Sequence, residues 1–246
     1  MPSSDHRPLD DKIGELRRLQ EAMLQRVTGQ FEEAVLALLE RDTERAAKVR
    51  RGDDEIDALE LRIDNLCERI LALHTPVAVD LRLILTAVKI NTDLERIGDH
   101  AKNLAKSTAP LLDWEAFLEQ TDLRELARTV RDILTGACEA FLDEDPDRAR
   151  DVIERDEEAN QLYNNIFDTT ARLSQEQPEG SEALIYIVTD AKALERIGDH
   201  AKNIAESTVF LEEGKDIRHG GLEEEAAGFS GDIGGDAISP SQLPGK

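Results

Sequence analysis

Apolar residues recur at intervals of three and four along most of the chain, the spacing of one helical face. From Leu9 the series runs through Ile13, Leu16, Leu19, Met23, Val27, Phe31, Val35, Leu38 and Leu39. Asp42 and Thr43 interrupt it and offer an N-cap. A second series passes through Ala46, Val49, Ile56, Leu59, Ile63, Leu66, Ile70 and Leu73. Gly52 falls inside it at a cost of about 1 kcal/mol, so one helix is expected with a kink allowed there. Pro76 suits the first turn of a third helix, expected from about Pro76 to Thr108 and ended by Pro110. Trp114 to Leu142 reads as a fourth helix. Asp145 before Pro146 caps a fifth, reaching about Gln175, and Pro178-Glu179-Gly180 marks the next break. The sixth helix runs from about Ser181 to Leu211. No stretch carries a convincing strand pattern.

Six helices of about 30 residues, each roughly 45 Å long at 1.5 Å per residue, are joined by short breaks. Short connections make neighbours antiparallel. The expected fold is therefore all-α: two tandem, internally repeated three-helix bundles. Residues 1–112 form the first bundle and 113–213 the second, with residues 1–8 as a loose lead-in. From Gly214 the texture changes, with 8 of the 15 glycines in the last 33 residues among acids, Ser and Pro. This tail, 214–246, is expected to be mostly disordered, with an ordered start in the charged stretch from Lys215 to Gly221.

The repeat is explicit in the letters. Residues 95–108 read ERIGDHAKNLAKST and residues 195–208 read ERIGDHAKNIAEST, identical at 12 of 14 positions with an offset of 100. An internal duplication alone would speak only to the fold. The repeated residues also carry chemistry. Glu95 with Asp99, and Glu195 with Asp199, are i,i+4 pairs that share a helix face. At about 100° per residue, Ile97, Ala101, Leu104 and Ala105 lie near Leu94 and form the core stripe. Glu95 and Asp99 then flank that stripe, and Gly98 lies between Glu95 and the stripe, where a helix or a metal cluster could approach the backbone closely. His100 and His200 fall beyond the acids, away from the stripe.

The second helix of each half offers a facing ridge: Asp53 with Asp57, and Asp156 with Asn160. Carboxylates brought together from two helices raise one another's pKa. A divalent or trivalent cation relieves that, and oxygen ligands suit Mg, Ca, Mn or Fe. The bland alternative is a solvated acidic face, with Arg96 and Arg196 as ordinary salt-bridge partners.

Composition narrows the function classes. A net charge of −23 argues against direct nucleic-acid binding, which needs a Lys/Arg surface. It fits cations or basic partner surfaces. Aromatics make up only 4%, as suits helix-on-helix packing through Leu, Ile, Val and Ala. The first residues, MPSSDHRPLDDK, hold no apolar signal region, and no apolar run approaches the roughly 18 residues of a membrane span. A soluble, cytoplasmic protein without membrane insertion is expected. Cys67 and Cys138 sit in apolar helical patterns and are expected to be buried and inert. Nucleophile, phosphate-loop and Glu-x-x-His di-iron motifs are lacking, so no catalytic residue is assigned.

The doubled LERIGDHAKN segment, with Pro76, Asp80, Leu81 and Arg82 before its first copy, resembles the PhoU family over about residues 9–219. GDDEIDALE (Gly52 to Glu60), RDEEANQLY (Arg155 to Tyr163) and Arg218-His219 support the likeness. The resemblance implies a non-enzymatic cytoplasmic homodimer that restrains high-affinity phosphate uptake and the phosphate-starvation response. The implied partners are the phosphate ABC transporter, its ATPase subunit and the phosphate-sensing histidine kinase. It also implies surface metal sites, multinuclear iron above all, with Mn, Zn, Mg or Ni as alternatives. Carried over, the ligands are Asp53, Asp57, Glu95 and Asp99 in one half and Asp156, Asn160, Glu195 and Asp199 in the other. Asn160 departs from the carboxylate pattern, and the acidic Gly-rich tail goes beyond it. A metal-dependent phosphate-ester hydrolase and a purely structural helical protein are the competing readings.

Overall fold

The computed structural model describes residues 8–217. Seven α-helices follow in order among them: α1 (Pro8–Glu40), α2 (Thr43–His74), α3 (Ala78–Ser107), α4 (Glu115–Gln120), α5 (Leu123–Leu142), α6 (Pro146–Glu176) and α7 (Ser181–Glu213). A single 3-10 turn, Pro178–Gly180, precedes α7. The caps fall where the sequence places them. The Asp42 side chain accepts from Arg45 N at 2.9 Å. Asp145 accepts from Asp147 N at 3.1 Å and Arg148 N at 3.0 Å, with Pro146 opening α6. Gly214 ends α7 in the left-handed region at φ 73°, its N–H bonded to Phe210 O.

Two expectations need correction. The third helix starts at Ala78, two residues later than Pro76, because Thr75 takes a left-handed conformation at the end of α2 and Val77 is extended. The helix expected over Trp114–Leu142 is two helices, broken where Thr121 is extended at φ −112°, ψ 152°. Short α4 buries Phe117 and Leu118, with Trp114 stacked on Phe117 at 5.2 Å. This aromatic pair lies against Gly180, so α4 anchors the α6–α7 turn and leaves the direction of α5. The second helix runs unbroken through Gly52, as expected, and the Gly52 carbonyl accepts from Arg26 Nη2 at 2.6 Å. The lead-in and the tail lie outside the described residues, apart from Pro8 and residues 214–217.

Helices α1, α2 and α3 pack on one another, and α5, α6 and α7 repeat the arrangement, giving two antiparallel three-helix bundles. The core is aliphatic: Leu16, Met23, Val27, Ile56, Ile63, Ile84, Ile90 and Leu94 in the first, and Leu126, Val130, Ile133, Ile166, Ile187 and Leu194 in the second. Each such side chain contributes about 1.5–3 kcal/mol when fully buried. The bundles meet along α3 and α7. Asp93 on α3 reaches His200 and Asn203, while Ser107 reaches Asp190, so the two helices run antiparallel. His100 and His200 meet at 5.8 Å between ring centroids. With a repeat offset of 100, that contact marks an approximate twofold relation between the bundles. Thr28 on α1 against Cys138 on α5 makes a second, smaller junction.

Candidate functional site

The first ridge lies between α2 and α3. Asp53 is 2% exposed. Its Oδ1 accepts from Gln30 Nε2 at 3.0 Å, and its Oδ2 pairs with the Lys102 ammonium. Gly98 permits this close packing: a Cβ there would stand 3.0 Å from Ile56 Cδ1. Burial raises the Asp57 carboxyl above its ordinary range, and the charges of Asp53 and Asp99 push the same way against Lys102. Burial also raises Glu60, with Asp64, Asp57 and Asp99 adding to it. Glu95 is raised by burial, opposed by Arg96 and reinforced by Asp99, Glu60 and Asp57. Asp57, Glu60, Glu95 and Asp99 therefore share one neighbourhood. Asp64, next along the stripe, accepts from Asn91 Nδ2 at 2.8 Å.

The second ridge lies between α6 and α7. Asp156, also buried, accepts from Lys202 Nζ at 2.9 Å and from Asn160 Nδ2 at 3.3 Å. Glu195 is 9% exposed. Lys192 Nζ donates to its Oε1 at 2.6 Å. Its Oε2 makes no hydrogen bond and stands 3.9 Å from Arg196 Nε. Burial raises the Asp199 carboxyl; Glu195 and Asp156 add to the rise, and Arg196 and Lys192 oppose it. Arg96 and Arg196 are more than half exposed, so their pairs with the acids are weak.

The expected residues thus lie along one hairpin each, with a lysine among them in both. The donor chemistry, carboxylate and amide oxygen, suits a hard cation. Among the described residues, however, no group of three or more His, Cys, Asp or Glu side chains is gathered closely enough to hold a metal ion. The innermost aspartates are engaged by Lys102 and Lys202. A cation would have to draw on the outer carboxylates or displace a lysine.

Some participants are visible only in the structure. Glu60 joins the first ridge; its signal is the i, i+4, i+7 spacing from Asp53 through Asp57. His100 and His200 do not project away from buried surface; both are half-buried at the α3–α7 seam. Burial and the charge of His200 lower the His100 pKa. Asp93 Oδ1 contacts His200 Nδ1 at 2.8 Å and accepts from Asn203 Nδ2 at 3.0 Å. Ala193 occupies the equivalent place in the second copy, so this contact has no mirror. Beside the seam an open cleft of about 960 Å³ is lined by Lys89, Asp93, Arg196, Asp199, His200 and Lys202, among others. Cys67 and Cys138 are buried, and burial pushes their thiols up to about 12 and about 11, which makes them inert.

Two like helical hairpins, each with a carboxylate ridge and a lysine, packed through their motif helices, define a tandem-repeat helical protein. A family model of the PhoU domain matches residues 21–108 and again residues 123–208. The chain belongs to the PhoU family. A relative from Pseudomonas putida, described as a phosphate-specific transport system accessory protein PhoU homolog, is 35% identical over 89% of this chain and 86% of its own length. A Pseudomonas aeruginosa relative of the same description is 37% identical over 80% of this chain and 81% of its own. The crystal structure of PhoU from P. aeruginosa superposes with a TM-score of 0.78 at 34% identity, covering 83% of this chain and 99% of that one. The phosphate transport system regulatory protein PhoU from Streptococcus pneumoniae gives a TM-score of 0.77 at 27% identity, with 85% and 99% covered.

Proposed function

We propose that the chain is a regulatory adaptor of high-affinity phosphate transport and phosphate-starvation signalling. In this reading it is a cytoplasmic homodimer without catalytic turnover. It restrains uptake by contacting the transporter ATPase and the phosphate-sensing histidine kinase. The observation that carries the reading is the match of both repeats to one family, with relatives named as accessory proteins of phosphate-specific transport. The absence of any described helix long and apolar enough to cross a membrane is consistent with a protein that docks on a transporter. Affinity purification of the tagged chain from phosphate-replete cells tests it. Recovery of the transporter ATPase or the kinase is expected; recovery of neither would overturn it.

The carboxylate ridges support a finer reading, in which the adaptor binds a hard multivalent cation. Asp57, Glu60, Glu95 and Asp99 would hold it in the first hairpin, and Asp199 and Glu195 would contribute in the second. The bound cation supplies positive charge between the paired helices. The chain's own residues do the rest: Lys102 and Lys202 hold Asp53 and Asp156 in place, and Gly98 keeps α2 and α3 close. The open cleft gives the hydrolase alternative a location. Steady turnover of simple phosphate esters with added Mn(II) would favour that alternative, and no turnover is the outcome expected here.

A further inference from the structure

The motif helix α3 carries an apolar pattern in line with its acids. Leu81, Leu85, Val88, Thr92, Glu95 and Asp99 follow one another at intervals of three and four, so they lie in one line along the helix. The apolar end of that line is not core. Leu85 is 46% exposed and Val88 37%, and Leu81 is half-buried. The line begins as an apolar stripe and ends in carboxylates.

The neighbouring helix adds an acidic wall. Asn91 Nδ2 donates to Glu60 O at 3.1 Å and to Asp64 Oδ1 at 2.8 Å, which sets the register of α2 against α3. Asp57, Glu60, Asp64 and Glu68 recur along α2 at the same spacing, and the charges of Asp64, Asp57 and Asp99 all bear on Glu60. The cations of the hairpin are mostly turned elsewhere. Lys102 is taken by buried Asp53. Lys89 lies over the Phe210 ring and Arg82 against Gly214, both toward α7. Arg69, with Arg62 one heptad before it on the same side of α2, bears on Glu15 of α1. Arg96, more than half exposed, pairs with Glu95 and Asp99 and bears on Glu60. Its single charge leaves the face acidic.

The duplicated hairpin lacks this wall. Where α2 has Asp57, Glu60, Asp64 and Glu68, α6 has Asn160, Tyr163, Phe167 and Ala171, and Lys192 stands where α3 has Thr92. Ile185, at the place of Leu85, is 66% exposed. The two faces are alike in apolar character and unlike in charge.

We propose that the outer face of the α2–α3 hairpin seats a basic amphipathic helix of a partner protein, its apolar side on Leu81, Leu85 and Val88 and its Lys and Arg against the α2 carboxylates. An exposed apolar stripe rimmed by charge marks an interaction site, and apolar anchors at helical spacing are what a docked helix matches. A further helix laid along α2 and α3 completes a four-helix arrangement. From Leu81 to Asp99 the line runs roughly 27 Å, the length of a helix of about 18 residues. The proposal rests on the adaptor reading above and names the chemistry of the segment that the adaptor grips.

Fluorescence anisotropy of the full chain in EDTA, with a labelled Leu/Lys amphipathic helix of about 18 residues as probe and circular dichroism to confirm folding, tests this. Wild type should bind the probe. L85D/V88D should bind at least about tenfold more weakly, although it adds negative charge; that sign separates seating from general attraction to an acidic protein. D57N/E68Q should also weaken binding, and I185D on the other hairpin should leave it unchanged. No binding by wild type, full binding by L85D/V88D, or an equal loss in I185D would overturn the proposal. So would a wild-type dimer that L85D/V88D abolishes in sedimentation, because the face would then belong to a second copy. Tagged chains purified from phosphate-replete cells separate this from the adaptor reading. Transporter ATPase or kinase recovered equally by wild type and L85D/V88D would overturn the seat and leave the adaptor standing. Recovery of neither protein by wild type would overturn the adaptor reading, while the probe measurements still decide the seat.

Discussion

Asp53 and Asp190 are both buried carboxylates, and their surroundings treat them differently. Asp53 has Lys102 and Gln30. Asp190, in the seam, has only the Ser107 hydroxyl at 2.7 Å, and its Oδ2 has no partner. Burial therefore pushes Asp190 up to about 8, with the Ser107 hydrogen bond pulling the other way. Its folded value lies above the unfolded 3.8. The stability it permits is complete below that unfolded value and is lost as pH rises through about 8. Asp190→Asn should therefore stabilise the protein by about 1–3 kcal/mol near pH 8, and the gain should vanish toward pH 4 in parallel urea titrations. A pH-independent difference would show that Asp190 is not protonated in the fold. At Asp53, Lys102→Met strands a buried carboxylate. The expected loss is about 2–3 kcal/mol, below the full value for a buried pair because Lys102 is 32% exposed. Asp53→Asn in the same background should return part of it. Equal stability of wild type and Lys102→Met would show that solvent already screens the pair.

At the scale of elements, the helices were legible because caps and spacing agree with packing. Asp42, Asp145, Pro110 and the Pro178–Gly180 break each mark a real boundary. The split between α4 and α5 was not legible: Phe117, Leu118, Leu123 and Leu126 keep an apolar rhythm across Thr121 and Asp122, and only the seating of Trp114 and Phe117 on Gly180 reveals the turn. The two motif glycines, identical in sequence, also part ways. A Cβ on Gly98 would crowd Ile56 at 3.0 and 3.3 Å, whereas one on Gly198 would meet nothing closer than 3.9 Å. Gly198→Ala should stabilise by about 0.5–1 kcal/mol through helix propensity. Gly98→Ala should gain nothing or lose stability, because buried Ile56 must shift. Thermal unfolding of the two variants decides this; equal gains would mean that Ile56 yields freely.

For the whole molecule, the duplicated motif announced two bundles but hid how they join. His100 and His200 share the polar side of their helices, and a polar residue against a second bundle looks the same in sequence as one facing water. The buried polar residues Asn91, Ser107 and Asp190 were the available signal. Pairing α3 with α7 places both motif helices at the centre of the molecule, so a change in either ridge can bear on the seam that orients the hairpins. The acidic ridges were legible as groups, whereas the contacts of Lys192 with Glu195 and the Tyr163 ring gain meaning only once α6 and α7 are paired. The surplus charge of −23 suits basic faces on partner proteins. The adaptor role itself is tested most directly by uptake of labelled phosphate in phosphate-replete cells, with the chain deleted and then restored. Deletion should release uptake from restraint and restoration should reimpose it; uptake that is the same in both would contradict the account.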